Sequence, residues 1–327
     1  MSITKEVLDS ETQITSYQFT DIDAIMNEKW GGQWSEYREK WAASNDIQNE
    51  VSDFPLYILT ELNSFCNLHC TMCKHAEDSS EMERKSMPIE MYEEIIKQCK
   101  EMGVPSINIG TGTECTLHPQ IDRIMTDVKK SGAIDKFFLT NGSTLNARLI
   151  DLIFGGEFER VEISVDAATA ETYEQIRRNG KYQRLEDNIN QLIEKKRLRK
   201  SKLPIIRLSF CVQKDNIEEI DAFYDKWQNK VDVIEYQKMV STAVDIQNQC
   251  SKRRCANPFN RLTIDYEGNI YPCCSILYQT EYCLGNIRDI SLYDAWHGKK
   301  IESLRESFKR GKLFEHCNRC LLSIYGE

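Results

Sequence analysis

Residues 57–73 read Tyr57-Ile58-Leu59-Thr60-Glu61-Leu62-Asn63-Ser64-Phe65-Cys66-Asn67-Leu68-His69-Cys70-Thr71-Met72-Cys73. The run from Tyr57 to Leu62 has the apolar, partly β-branched make-up of a buried strand, and three thiols follow within one tight loop. Three thiolates can hold three irons of a cubane [4Fe-4S] cluster and leave the fourth iron open. A zinc loop that recruits His69 or His75 as its fourth ligand is the competing reading of the same residues.

Outward from that loop, short apolar runs alternate with amphipathic stretches from Leu56 to about Met239. Strands are predicted at Tyr57 to Leu62, Ser106 to Ile109, Lys136 to Leu139, Arg160 to Val165, Ile205 to Val212 and Val233 to Tyr236. Helices are predicted between them, for example Ile89 to Glu101 and Leu185 to Leu198. Six βα units in this order imply an α/β fold, a partial TIM-like (β/α)6 barrel over residues 54–241, with its functional groups where strands deliver into their following loops. Residues 1–53 read as a helical extension. Within it, Asp21 to Ser44 is expected as one helix whose Trp30, Trp34, Tyr37 and Trp41 share an apolar face, a packing element without chemistry.

The chain has 327 residues with 51 acidic and 42 basic side chains, a net charge of −9. Such a balance gives no general attraction to phosphate backbones or anionic lipid, so neither nucleic acid nor membrane is expected as a partner. No basic-then-apolar leader opens the sequence and no apolar run reaches bilayer length, which gives the expectation of a cytoplasmic protein. Thirteen cysteines, an odd number in a chain too large to need disulfide staples, point to metal ligation in a reducing compartment.

A second group of cysteines lies in residues 242–327, expected as a small C-terminal domain. Cys255 precedes a hairpin formed by Leu262 to Asp265 and Ile270 to Cys273, and Cys317-Asn318-Arg319-Cys320 closes the group. Four thiolates suit zinc and a closed [4Fe-4S] cluster equally.

The CxxxCxxC loop after the first strand of a βα barrel resembles the radical S-adenosylmethionine (SAM) superfamily, and further segments match in order. The resemblance implies that Cys66, Cys70 and Cys73 hold a [4Fe-4S] cluster whose open iron chelates SAM, which is cleaved to a 5′-deoxyadenosyl radical. Gly110-Thr111-Gly112-Thr113-Glu114 is similar to the family's Gly-Gly-Glu turn, which implies that its backbone and the Glu114 carboxylate hold the SAM ammonium. Thr113 replaces the second glycine there and requires a negative φ. Asn141, at the end of the third strand, and Ser164 with Asp166, at the end of the fourth, are implied beside the SAM ribose and methionine, together with Met72. Arg177 matches a family arginine that pairs with a carboxylate. The C-terminal segment resembles the SPASM/twitch extension, which implies an auxiliary [4Fe-4S] cluster on Cys255, Cys273, Cys317 and Cys320. The shorter twitch form with a single closed cluster is expected, with Cys274 and Cys283 as nearby spare thiols.

The reaction is open at this level. In the strand Ile206 to Gln213, alternation sends Arg207, Ser209, Cys211 and Gln213 to one face, expected to be the barrel lumen. A dehydrogenase of a sugar, aminocyclitol or similar small polar molecule is the first reading, with the auxiliary cluster as electron acceptor, by resemblance to the twitch enzyme that oxidises 2-deoxy-scyllo-inosamine. An epimerase with Cys211 returning hydrogen is the second. A methyltransferase and a non-catalytic iron-sulfur or zinc binding module complete the set. A small-molecule substrate is preferred to a peptide because the first 50 residues are short and helical for a leader-binding domain. An electron donor such as flavodoxin or ferredoxin is the implied partner.

Overall fold

In the computed structural model, which describes residues 2–10, 12–73, 83–239, 250 and 255–325, all six predicted runs are strands. They are β2 (Tyr57–Thr60), β4 (Ser106–Ile109), β5 (Asp135–Thr140), β6 (Arg160–Ser164), β8 (Ile205–Val212) and β9 (Val233–Lys238). These six pair in parallel in that order, and helices such as Ile89–Met102 and Tyr182–Leu198 connect them over the outer face. The expected partial barrel is therefore present. Side-chain alternation explains which way each strand faces: Leu208, Phe210 and Val212 enter the core under the helices, with the Phe210 ring 5.0 Å from that of Phe223. Ser209 and Cys211 face the lumen.

Two departures concern the N-terminal 53 residues. The segment expected as helix also supplies a strand, β1 (Ile14–Gln18), which pairs antiparallel with β9 and covers one edge of the sheet. Its half-exposed alternation is too weak to read alone; pairing with β9 and the packing of Tyr17 on Tyr224 (5.2 Å) and Tyr236 (6.0 Å) supply what its own apolarity lacks. The single helix expected over Asp21 to Ser44 is two, Ile22–Trp30 and Gly32–Ala43, broken at Gly31 with φ 57. Trp34, Tyr37 and Trp41 of the second helix form a chain of edge-to-face rings that ends on Tyr57, the first residue of β2. The extension thus covers the end of the barrel where the strands begin, and Arg261 lies over both Trp41 (5.4 Å) and Tyr57 (5.3 Å) there.

The C-terminal hairpin does not stand apart. β10 (Arg261–Ile264) pairs parallel with β2, and β11 (Asn269–Tyr271) and β12 (Gly285–Asn286) continue antiparallel, so among the described residues one ten-stranded mixed sheet runs from β1 to β12. The buried indole N–H of Trp296 donates to the Ser52 carbonyl (2.8 Å), which ties this region to the start of the barrel. The expected boundary at 241/242 and the alternative ligand His75 lie outside the described residues.

Candidate active site

The loop after β2 is held from two sides. His69–Cys70 (β3) pairs antiparallel with Arg177–Arg178 (β7), and the Thr71 N–H donates to the Ile176 carbonyl at 2.9 Å. This fixes Cys66, Cys70 and Cys73 on the wall of a cavity of ≈ 420 Å³ that continues into the barrel lumen past Gly112, Asn141, Ser164, Asp166 and Cys211. The predicted loop, turn and lumen residues therefore meet in one place.

The thiols carry their own donors. Cys66 Sγ accepts from the Leu68 N–H (3.4 Å) and from Asn141 Nδ2 (3.6 Å), and Cys70 Sγ accepts from Arg177 Nη1 (3.8 Å). Burial pushes the Cys66 thiol up to about 11, so metal binding must expel its proton. Asn67, a loop residue without a flag in the sequence, makes the support rigid: Asn141 Nδ2 donates to its Oδ1 (2.9 Å) and its own Nδ2 donates to Ser143 Oγ (2.7 Å). Gln213 Nε2 reaches Met72 Sδ at 3.9 Å. Three soft sulfur donors on one loop beside an open cavity fit an iron-sulfur group with a ligand position left for a small molecule.

In the Gly110–Glu114 turn, the positive φ values belong to Gly110 (112) and Gly112 (79) and not to Thr113, whose hydroxyl donates to the Asn63 carbonyl at 2.6 Å. The substitution of threonine is accommodated as required. A Cβ on Gly112 would lie 2.2 Å from Glu61 Oε1, a buried carboxyl that burial raises to about 8 and that accepts from Tyr278 Oη. Gly112→Ala is therefore expected to cost more than about 2 kcal/mol through backbone strain and this clash. It should lower the melting temperature and weaken SAM binding by calorimetry at least tenfold; wild-type values in both would detach the turn from the site.

Three of the expected site residues have partners within the protein. Glu114, expected to hold the SAM ammonium through its carboxylate, accepts from Thr116 N (3.2 Å), Thr116 Oγ1 (2.5 Å), Thr140 Oγ1 (2.7 Å) and Asn141 N (2.7 Å). Three of these bonds fall on Oε1 and one on Oε2, so the carboxylate ties the turn to β5 while Oε2 keeps acceptor capacity on a residue that lines the cavity. Arg177 does pair with a carboxylate, but with the chain's own Asp166, at 2.8 Å from Nε and 2.5 Å from Nη2. Asp166 Oδ1 accepts from the Cys211 N–H (2.7 Å), whereas Ser164 Oγ accepts only the long bond from Ser209 Oγ (3.4 Å) among the described residues. Arg177 also stands at the end of the helix Ala170–Ile176 rather than inside it.

The second cysteine group is assembled from three places. Cys255 precedes the short helix Asn257–Asn260, Cys273 follows β11, and Cys317 and Cys320 lie three apart on the helix Glu315–Tyr325, hence on one face. Burial raises Cys255 to about 11 and Cys317 to about 12, and each feels Cys320, so these thiols share a neighbourhood. Cys273 is raised by the same burial and by Cys274, Cys255 and Cys317. Of the two spares, Cys274 is adjacent to this group and exposed, whereas Cys283 donates to the Gly285 carbonyl at 3.4 Å. Cys99 and Cys115 are core residues.

The sequence did not single out Glu162, Glu235 or Gln237. Glu162 occupies an inward position of β6, and the period-two rule applied to Arg207–Gln213 would have exposed it.

A family model described as the radical SAM superfamily matches residues 60–226, and one described as an iron-sulfur cluster-binding domain, SPASM, matches residues 255–321. A GTP 3′,8-cyclase of Chlorobaculum tepidum is 25% identical over 137 residues, 42% of this chain and 41% of that protein. The chain spans about half the length, or less, of the curated relatives it matches. Among solved structures, BtrN in complex with AdoMet and 2-DOIA has a TM-score of 0.56 at 17% identity, covering 83% of this chain and 94% of that one. Streptococcus suis SuiB bound to the precursor peptide SuiA has a TM-score of 0.57 at 14% identity, covering 83% and 70%. At these identities the two structures show the fold.

Proposed function

The chain belongs to the radical SAM superfamily and carries a C-terminal iron-sulfur cluster-binding domain, and from that premise we propose that it removes hydrogen from a carbinol carbon of a small polar substrate, a sugar or aminocyclitol, and oxidises it. We assign Cys66, Cys70 and Cys73 to the [4Fe-4S] cluster that works with SAM, and Cys255, Cys273, Cys317 and Cys320 to one closed auxiliary cluster. When bound, these groups supply a 5′-deoxyadenosyl radical and an acceptor for one electron.

The observation that supports this reading is the continuity between the cysteine loop and the polar lumen wall. Ser164, Ser209 and Gln237 line the same cavity as the three thiols, and Gln213 reaches in as far as Met72. Hydroxyl and amide groups of this kind position a polyol by hydrogen bonds while Leu68 and Leu139 limit water. The N–H donors on Cys66 and Cys70 offset part of the burial that raises both thiols.

A second reading is favoured by one observation. Cys211 lines the cavity, and burial pushes its thiol up to about 12, so it keeps a hydrogen to return to a substrate radical, as in an epimerase. Heavy water separates the two. Turnover of a sugar and aminocyclitol panel by the reconstituted enzyme is expected to yield a ketone with no solvent deuterium on the reacting carbon, and to continue in Cys211→Ala. Solvent deuterium on that carbon, with turnover abolished in Cys211→Ala, would replace oxidation by epimerisation. An absence of any 5′-deoxyadenosine under reducing conditions would remove both.

A further inference from the structure

Below the level of Cys211, the lumen wall carries charges that neither the cluster loop nor the SAM turn uses. Glu162 of β6 stands in register with Arg207 of β8, and Ser209 with Glu235 of β9. The Arg207 guanidinium is shared unequally: its Nη1 lies 2.7 Å from Glu235 Oε2 and 3.5 Å from Glu162 Oε2. Glu235 has two further partners, Gln237 Nε2 donating at 2.7 Å and Ser16 Oγ at 3.3 Å, the latter from the N-terminal edge strand. Glu162 has the weaker share of the guanidinium, yet it is the member of the trio that lines the cavity, with 7% of its surface exposed.

Two carboxylates share one guanidinium inside a largely dehydrated wall, and Glu162 holds the longer arm at 3.5 Å. Burial, with Arg207, Arg160 and a hydrogen bond from Ser209 opposing it and Glu235 adding to it, raises Glu162 to about 7, so either a proton or a further cation would neutralise the carboxyl. Arg177 is the cation among the described residues lining the cavity, and Asp166 already engages it. A ligand ammonium group would complete the arrangement better than a hydroxyl, because it offsets the second carboxylate without that carboxyl taking up a proton.

Resting on the reading of this cavity as a substrate site, we propose that Glu162 is a specificity-determining residue that receives the ammonium group of an aminated polyol, so that the substrate carries a protonated amine as well as hydroxyls. Glu235 and Arg207 hold Glu162 in place from the next strands, and the N-terminal strand contributes through Ser16.

The test uses holoenzyme with both clusters and SAM, without reductant, so that binding is read apart from turnover. Matched pairs, scyllo-inosamine against scyllo-inositol and glucosamine against glucose, are titrated calorimetrically. The expected result is that at least one amine binds about 10- to 100-fold more tightly than its hydroxyl counterpart, the range of a charge-assisted hydrogen bond, and that Glu162→Gln removes the difference. Equal binding within both pairs, including no detectable binding of any member, overturns the proposal, as does an amine preference that survives Glu162→Gln. Should Glu162→Gln fail to load iron, Glu162→Asp, which keeps the charge one methylene back, must show a reduced preference of the same sign; an undiminished or reversed preference overturns the proposal. SAM cleavage by reduced wild-type enzyme is scored separately: its absence counts against the radical-enzyme reading and leaves the binding comparison intact.

Discussion

Replacing Cys66, Cys70 and Cys73 together by alanine is expected to lower the iron content of anaerobically reconstituted protein from roughly eight to roughly four per chain, and to abolish reductive SAM cleavage. The loop that bears these thiols is held by the β3–β7 pairing and by Asn67, Ser143 and Asn141, none of which depends on sulfur. The partial barrel behind it is held by the parallel ladder from β2 to β9. The variant should therefore fold and keep its auxiliary cluster, so that lost iron reports one site and not collapse. Matched counts of iron and sulfide decide the matter. A wild-type total near four would instead remove the auxiliary cluster, and with it the proposed electron acceptor. An undiminished total in the variant would reassign the first cluster to other residues.

The parts of the site legible in the sequence are those written as short spacings. Cys66, Cys70 and Cys73 need only one loop, and Gly110 with Gly112 report a turn whose positive φ values the structure contains. Strand alternation placed Ser209 and Cys211 in the lumen because the outer face of β8 has to meet Phe223 on the helix Ile220–Trp227. Tertiary partners were not legible. Arg177 and Asp166 are eleven residues apart, but their pairing depends on the turn at Asp166, whose φ is 66, outside any regular strand. The four bonds that commit Glu114 come from Thr116, Thr140 and Asn141, two of which lie on the next strand or at its end. The edge strand β1 was missed because an edge needs few apolar residues when its neighbour supplies the packing, and the break at Gly31 because the aromatic spacing runs across it.

Arg177→Ala is expected to destabilise the reduced apoprotein by about 3–5 kcal/mol, the cost of leaving a buried carboxylate without its cation. Asp166 is 1% exposed and Arg177 8%, and without the guanidinium the carboxylate keeps one strong donor, the Cys211 N–H at 2.7 Å. The same arginine ends the strand pair that pins the cysteine loop and donates to Cys70 Sγ, so iron loading should fall along with stability. Charge, and not side-chain size, is the cause, and a second variant isolates it. Adding Asp166→Asn to Arg177→Ala removes the stranded charge while keeping the shape, and should recover a large part of the lost stability but not the iron loading. Arg177→Lys should fall between, because one ammonium cannot reproduce the two bonds from Nε and Nη2 to Asp166. Urea denaturation of the three variants, with iron counted on each after reconstitution, checks both effects. If Arg177→Ala unfolds within about 1 kcal/mol of wild type, or the double variant is no more stable than the single one, the Asp166–Arg177 pair is not what holds the cysteine loop against the lumen.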